Sequence, residues 1–234
     1  MLAGIDFATA SGETWIAVGA ERGGKLFVDS LGRVANAEIP ARIAKARVVG
    51  IDVPLGWPDA FQEAMRHHRA DRPLALPSKF PSRLTDERVA RELGLTPLSV
   101  AADLIGRCAW QAASILAQCP HRVNPVEPCS ESSVIEVYPK AALRVLAGKA
   151  RFNELKRYKS GAQESEMRRR ICEEILPGLF FDAMLTSHDA LDAVLAIYAA
   201  AAFARGEVLF PADVEKEQAS REGWIYYPAP RLVS

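Results

Sequence analysis

Val48-Val49-Gly50-Ile51-Asp52-Val53-Pro54 (48–54) is a continuous apolar run interrupted by a single acid. Such a run is the pattern of a short strand buried on both faces, the central strand of a parallel sheet. A lone carboxylate inside it costs several kcal/mol unless it is neutralised, paired or bound to a metal. Two further runs repeat the arrangement, Gly4-Ile5-Asp6-Phe7 and Val134-Ile135-Glu136-Val137. One such acid is explained by a strand end that points to solvent. Three together ask for a common cause, and a shared acidic site supplies it.

Upstream of 48–54, residues 2–8, 14–20 and 25–30 read as three strands of a β-meander joined through Gly23-Gly24, and 37–46 as a short helix. Downstream, residues of about 55–97 are rich in Pro, Arg and His, a composition that disfavours long helices and strands and suggests a mobile insertion or lid. Ser99 is placed to cap a helix over about 100–119, with Leu104, Ile105, Cys108 and Ala112 on its apolar face. Residues 132–139 read as the next strand, and Pro139 opens a helix that ends before Gly148. Residues 162–176 give a further helix. Residues 189–205 are Ala-rich and apolar nearly all round, so that helix is expected to be buried, and EGWIYYP (222–228) reads as an edge strand. A meander followed by α/β crossovers predicts an α/β fold with a ribonuclease H-like mixed sheet, antiparallel then parallel, flanked by helices. The 234 residues suit a single domain.

A fourth acid belongs to the buried helix. Asp189 and Asp192 share a face, but Thr186-x-x-Asp189 also fits a capping box, which leaves Asp189 open between cap and ligand. Capping does not explain Asp192. Clustered carboxylates raise one another's pKa, and a hard divalent cation relieves that cost, so the expected ligands are Asp6, Asp52, Glu136, Asp189 and Asp192 around one or two Mg2+ or Mn2+ ions. Such a centre suits hydrolysis of a phosphodiester by a metal-activated water. Arg83, Arg91 and Lys159 are cations suited to a phosphate, with ordinary surface or an ion pair to the acids as the alternative. His67-His68 with Asp71 reads as solvated rather than as a metal site, because adjacent histidines on a helix cannot both face one ion.

The stretches GIDFA, VVGIDVPLGWP, RLTDERVARELGLTPLSVAADLIG, VIEVYPKAAL, Tyr158-Lys159, HDALDAVLAIYAA and EGWIYYP, in this order, resemble the family called domain of unknown function 429 (DUF429). That family is described as predicted nucleases of ribonuclease H-like fold, and the resemblance covers most of the chain. It implies an acidic site of Asp6, Asp52, Glu136 and the Asp189/Asp192 pair, with Lys159 and the Arg83/Asp86 segment beside it. It supplies no substrate.

Composition sets the remaining bounds. Apolar residues at 49% and charged residues at 25% suit an ordinary globular core, and no apolar run reaches the ~18 residues a bilayer requires. With no recognisable leader, a cytoplasmic location is expected. Cys108, Cys119, Cys129 and Cys172 are irregularly spaced and read as reduced structural thiols. Lys and Arg balance Asp and Glu at 29 each, but residues 140–170 hold ten basic residues against three acids and 66–91 hold seven against three, two segments able to flank a polyanion such as a nucleic acid. Two other readings stay open. The loop GIDFATASG resembles the first phosphate loop of actin-like ATPases and sugar kinases. Alternatively, the acids are structural in a non-catalytic module whose 140–170 segment docks a nucleic acid or a protein.

Overall fold

The computed structural model describes residues 1–10, 13–71, 80–101, 103 and 105–229. Ser11 and Gly12 of the GIDFATASG loop, residues 72–79 of the expected insertion and Leu104 of the expected helix face lie outside the described residues.

Strands β1 (Leu2–Asp6), β2 (Thr14–Arg22) and β3 (Lys25–Val34) form the antiparallel meander. Gly23 and Gly24 turn the hairpin with φ of 59° and 74°, a left-handed pair open to glycine at little cost. A 3-10 turn at Asn36–Glu38 leads into α1 (Ile39–Ile43), and β4 (Val48–Asp52) returns parallel to β1. Next come α2 (Asp59–His67), α3 (Leu84–Leu93), α4 (Gly106–Leu116), the short β5 (Arg122–Val123), and β6 (Ser133–Val137), which adds parallel to β4. The chain continues through α5 (Pro139–Leu155), α6 (Glu164–Arg170) with a π-helical turn at Ile171–Ile175, α7 (Asp182–Thr186), α8 (His188–Ala204) and α9 (Lys216–Glu222). It closes with β7 (Ile225–Tyr226), parallel to β6. The sheet order β3-β2-β1-β4-β6-β5, with β7 also on β6, is the ribonuclease H-like arrangement that the element order implied. Among the described residues no helix is long and apolar enough to cross a membrane.

Strand alternation builds one core on each face of the sheet. Leu2, Val48, Ile135 and Val137 pack with α8, whereas Ala3, Ile5, Val49, Ile51 and Val134 pack with Ile39 and Ile43 of α1 and Ala109, Ala112 and Leu116 of α4. Helix α8 is buried along almost its whole length, as its all-round apolar composition requires.

Several local expectations are revised. Among its described residues the 55–97 stretch holds two helices of 9 and 10 residues, because the described prolines stand outside them and do not interrupt them. Pro58 immediately precedes α2, Pro81 lies ahead of α3, and Gly94 (φ 67°) ends α3 before Pro97. Helix α3 is anchored through Val89, which packs with Ile225 and Tyr227. Helix α4 begins at Gly106, later than expected: Ser99 Oγ accepts the Ala101 amide and donates to the Pro81 carbonyl, closing a separate turn. Gly148 (φ 72°, ψ 165°) breaks α5 as expected, but helix resumes beyond it. Ser187, not Thr186, caps α8, its Oγ accepting the Ala190 amide at 3.3 Å. The Thr186 hydroxyl donates back to the carbonyls of Asp182 and Ala183.

Candidate metal centre

The centre starts from a Gly-x-Asp pattern carried twice. Strands β1 and β4 pair in register, with Gly4 opposite Gly50 and Asp6 opposite Asp52. Glycine and aspartate two residues apart face the same side of a strand, here the side covered by α8. Both glycines are required by that packing. A Cβ at Gly4 would collide with the backbone of Ala193 and Ile197, and one at Gly50 would come within 2.5 Å of the Ala196 carbonyl oxygen. Only bare backbone lets α8 lie directly on these strands, and that contact carries Asp192, near the start of α8, to Asp6 and Asp52. Oxygens of the three carboxylates all lie within 4.8 Å of one another.

Asp6 and Asp52 are half-buried, and neither side chain has a hydrogen-bond or ion-pair partner among the described residues. Asp192 is fully buried, accepts a 2.6 Å hydrogen bond from the Tyr158 hydroxyl and pairs with the Lys159 ammonium. Burial, reinforced by Asp192 and Asp52, holds the Asp6 carboxyl well above the usual carboxylate range. Burial pushes Asp52 up to about 7, with Asp192 adding to the shift and Lys159 opposing it. Burial alone would lower the Lys159 ammonium, but Asp192, Asp52 and Asp6 outweigh it and hold the group above the ordinary lysine value. Together the three carboxylates and one ammonium carry a formal charge of −2, the complement of one divalent cation. Asp6, Asp52 and Lys159 line a cavity of about 230 Å³, whose wall also includes Phe7, Leu98, Cys108, Tyr138, Glu136 and Arg83, with Asp192 buried behind it.

The other expected site residues are not ligands of this cluster, although Glu136 and Arg83 line the same cavity. Register decides Glu136, because β6 pairs with β4 so that Ile51, not Asp52, is opposite it. A one-residue offset sends a side chain to the other face. Glu136 therefore points away from α8, where Arg83 Nη2 donates to its Oε1 (2.7 Å), Arg83 Nη1 to its Oε2 (2.8 Å) and the Leu55 amide to Oε2 (2.9 Å). Burial raises the Glu136 pKa, and Arg83 pulls against it. Arg83, expected at a substrate phosphate, is 1% exposed. Its remaining N–H groups bond Asp86 Oδ2 (3.1 Å), Asp86 Oδ1 (2.9 Å) and the Glu222 carbonyl (3.2 Å), so all five guanidinium donors are used. Asp189 is half-buried and held by His188 Nε2 at 2.9 Å, a bond that lowers its pKa. Arg91 is an exposed side chain of α3, 3.8 Å from Glu92. His67 pairs with Glu63 at the surface, in keeping with its solvated reading.

Sequence reasoning did not find Glu222. Its buried carboxylate accepts the amides of Asp59 and Leu84, both at 2.7 Å, and so neutralises the first turns of α2 and α3 together. With the Arg83–Glu136 pair it fastens both helices to the sheet beside the acidic cavity. No local motif announces it, since its partners are 163 and 138 residues away. Gly4 and Gly50 were given no role by sequence reasoning either, although each stands two residues before its aspartate, a signal visible in the sequence.

A family model described as "Protein of unknown function (DUF429)" matches residues 4–216. No curated protein and no solved structure matches the chain.

Proposed function

The chain belongs to the DUF429 family of proteins of unknown function, and from that membership and the geometry above we propose that it is a metal-dependent phosphodiesterase acting on nucleic acid. The observation that carries the reading is the convergence of Asp6, Asp52 and Asp192 from three separate elements, with two of the carboxylates unpaired among the described residues. An all-oxygen set is the donor chemistry of Mg2+ or Mn2+, and ligands ~2.0–2.6 Å from such an ion stand up to ~4–5 Å apart across it, so these residues fit one. A divalent cation bound there would supply a water of lowered pKa and charge neutralisation at a phosphoryl oxygen. In this reading Asp6, Asp52 and Asp192 hold the ion. Lys159 orients Asp192 and offers a cation to a phosphate at the cavity mouth. Tyr158 fixes the other Asp192 oxygen. The apolar wall of Phe7 and Leu98 limits water around the reacting group. Glu136 and Arg83 act as supports of the loop after β4.

The test is calorimetric titration with Mn2+ and Mg2+ together with hydrolysis of labelled DNA and RNA strands by the purified protein. Metal binding and strand cleavage, both lost in Asp52→Asn, are the expected result. Cleavage retained in Asp52→Asn would assign the activity to a contaminant. Absence of metal binding at millimolar concentration, with nucleic acid present, would favour a non-catalytic module with structural acids.

A further inference from the structure

The two basic segments of the sequence meet in one groove, between α3 and α5. Ion pairing first sorts their charges. In 140–170, Arg151 and Arg170 pair with Glu154 and Glu174, Arg169 pairs with Glu166, Arg168 pairs with Glu164, and Lys159 is taken by Asp192. Lys140, Arg144, Lys149, Lys156 and Arg157 have no acidic partner among the described residues, and Arg144, Lys149 and Lys156 of these line the groove with Arg91 from the other segment. Its volume is about 340 Å³. Among the described residues the one acid in its wall is Glu92, which is held by other groups: the Tyr227 hydroxyl donates to Oε2 at 2.6 Å and Arg88 Nε to Oε1 at 3.1 Å, while the exposed Arg91 reaches the same Oε1 only at 3.8 Å.

Local structure explains the alignment. The break at Gly148 starts a new helical stretch, on which Lys149, Asn153 and Lys156 recur at the i, i+4, i+7 spacing of one face, and all three line the groove. The helix that walls the groove is joined to the acidic cavity at both ends. Helix α5 begins directly after Tyr138, which lines that cavity, and Lys156 stands three residues before Lys159, the partner of Asp192.

We propose that this groove binds the phosphate backbone of a nucleic-acid strand and leads it to the Asp6–Asp52–Asp192 cluster. The delivery half rests on the phosphodiesterase reading; the binding half does not. Single-sign cations spaced along a helix face, with an amide side chain between them, match successive phosphates without reading bases. An acidic peptide is the competing occupant, and the test separates the two.

The experiment is fluorescence anisotropy of a labelled single-stranded 20-mer with the full chain, in EDTA so that no cleavage contributes, across a range of salt concentration. Four phosphate contacts predict a log–log slope of about −3, at ~0.7 per contact for a single strand. Lys149→Ala/Lys156→Ala should shrink the slope by about 1.4 and weaken binding roughly 25-fold at about 0.1 M salt. Both residues are exposed, so the variant should keep the parent's melting temperature. No strand binding by the parent, an unchanged slope and affinity in the variant, or equal displacement of the strand by poly-glutamate of matched charge overturns the proposal. Mn2+ titration of the parent keeps the two readings apart. If the parent binds the strand as described but binds no Mn2+, the phosphodiesterase reading falls and the groove stands.

Discussion

Arg83→Met removes the cation at the centre of the second buried network and keeps most of the side chain's length. Glu136 and Asp86 are 2% and 6% exposed, and after the change they retain only the Leu55 amide and the backbone amide of residue 83 as donors. Two charges would then lie buried without a counter-ion. Removing one partner from a buried ion pair costs about 3–5 kcal/mol, and the upper end is expected because one guanidinium serves both acids. Burial already raises the Glu136 pKa, so protonation of that group sets a ceiling on the loss. For a chain of this size the loss corresponds to a fall of roughly 6–20 °C in melting temperature. The assay is urea unfolding followed by tryptophan fluorescence, with the difference taken from the midpoint at unchanged m-value. Two companion results are required. The deficit should shrink on acidification, since Glu136, its pKa already raised by burial, then becomes neutral. Arg83→Met/Glu136→Met should recover a large part of it, because one of the orphaned charges has gone. A loss below about 1 kcal/mol would refute the reasoning, since it would mean that these acids are solvated and not held by Arg83.

Gly4→Ala should destabilise by about 3 kcal/mol or more, because the new methyl meets the α8 backbone and not a side chain that can rotate away; the same displacement should abolish the Mn2+ response, and near-parental stability would show that α8 is not seated on β1. In EDTA, Asp6 and Asp52 have folded pKa values above their unfolded ones, so their contribution to stability is full below the ordinary carboxylate pKa and is lost as pH rises through about 7 for Asp52. Melting temperatures from pH 5 to 8 should therefore fall more steeply in the parent than in Asp52→Asn, and Mn2+ should protect the parent most at the alkaline end. Parallel profiles would contradict the raised pKa of Asp52. Lys159→Met should cost about 1–3 kcal/mol without metal, the lower end reflecting its partial exposure, and Mn2+ should restore a larger share of stability than it adds to the parent. A variant that responds less to Mn2+ than the parent does would show that Lys159 assists the ion and does not compete with it.

The sequence by itself determined the sheet and half of the site. Apolar strands with period 2, the Gly23-Gly24 turn and an all-round apolar helix are local signals, so the meander, the β4 crossover and buried α8 could be read without a partner in view. The same holds for Asp6 and Asp52, whose burial cost is visible within their own strands. Asp192 was separable from Asp189 because capping is a local rule, although the structure moved the cap itself to Ser187. What only the tertiary structure decided was the register and closeness of distant segments. Val134-Ile135-Glu136-Val137 looks like Gly50-Ile51-Asp52-Val53 on the page, yet β6 sits one residue out of step with that likeness, and Glu136 faces the opposite side of the sheet. No single-strand pattern contains that offset, because it is a property of the pairing. Arg83 was drawn from expected substrate contact into a closed ion network by Glu136, 53 residues away, and by the Glu222 carbonyl, 139 residues away. The acidic centre is thus two Gly-x-Asp strands that local chemistry specifies and a helix carboxylate that only glycine-to-backbone packing brings within reach of them.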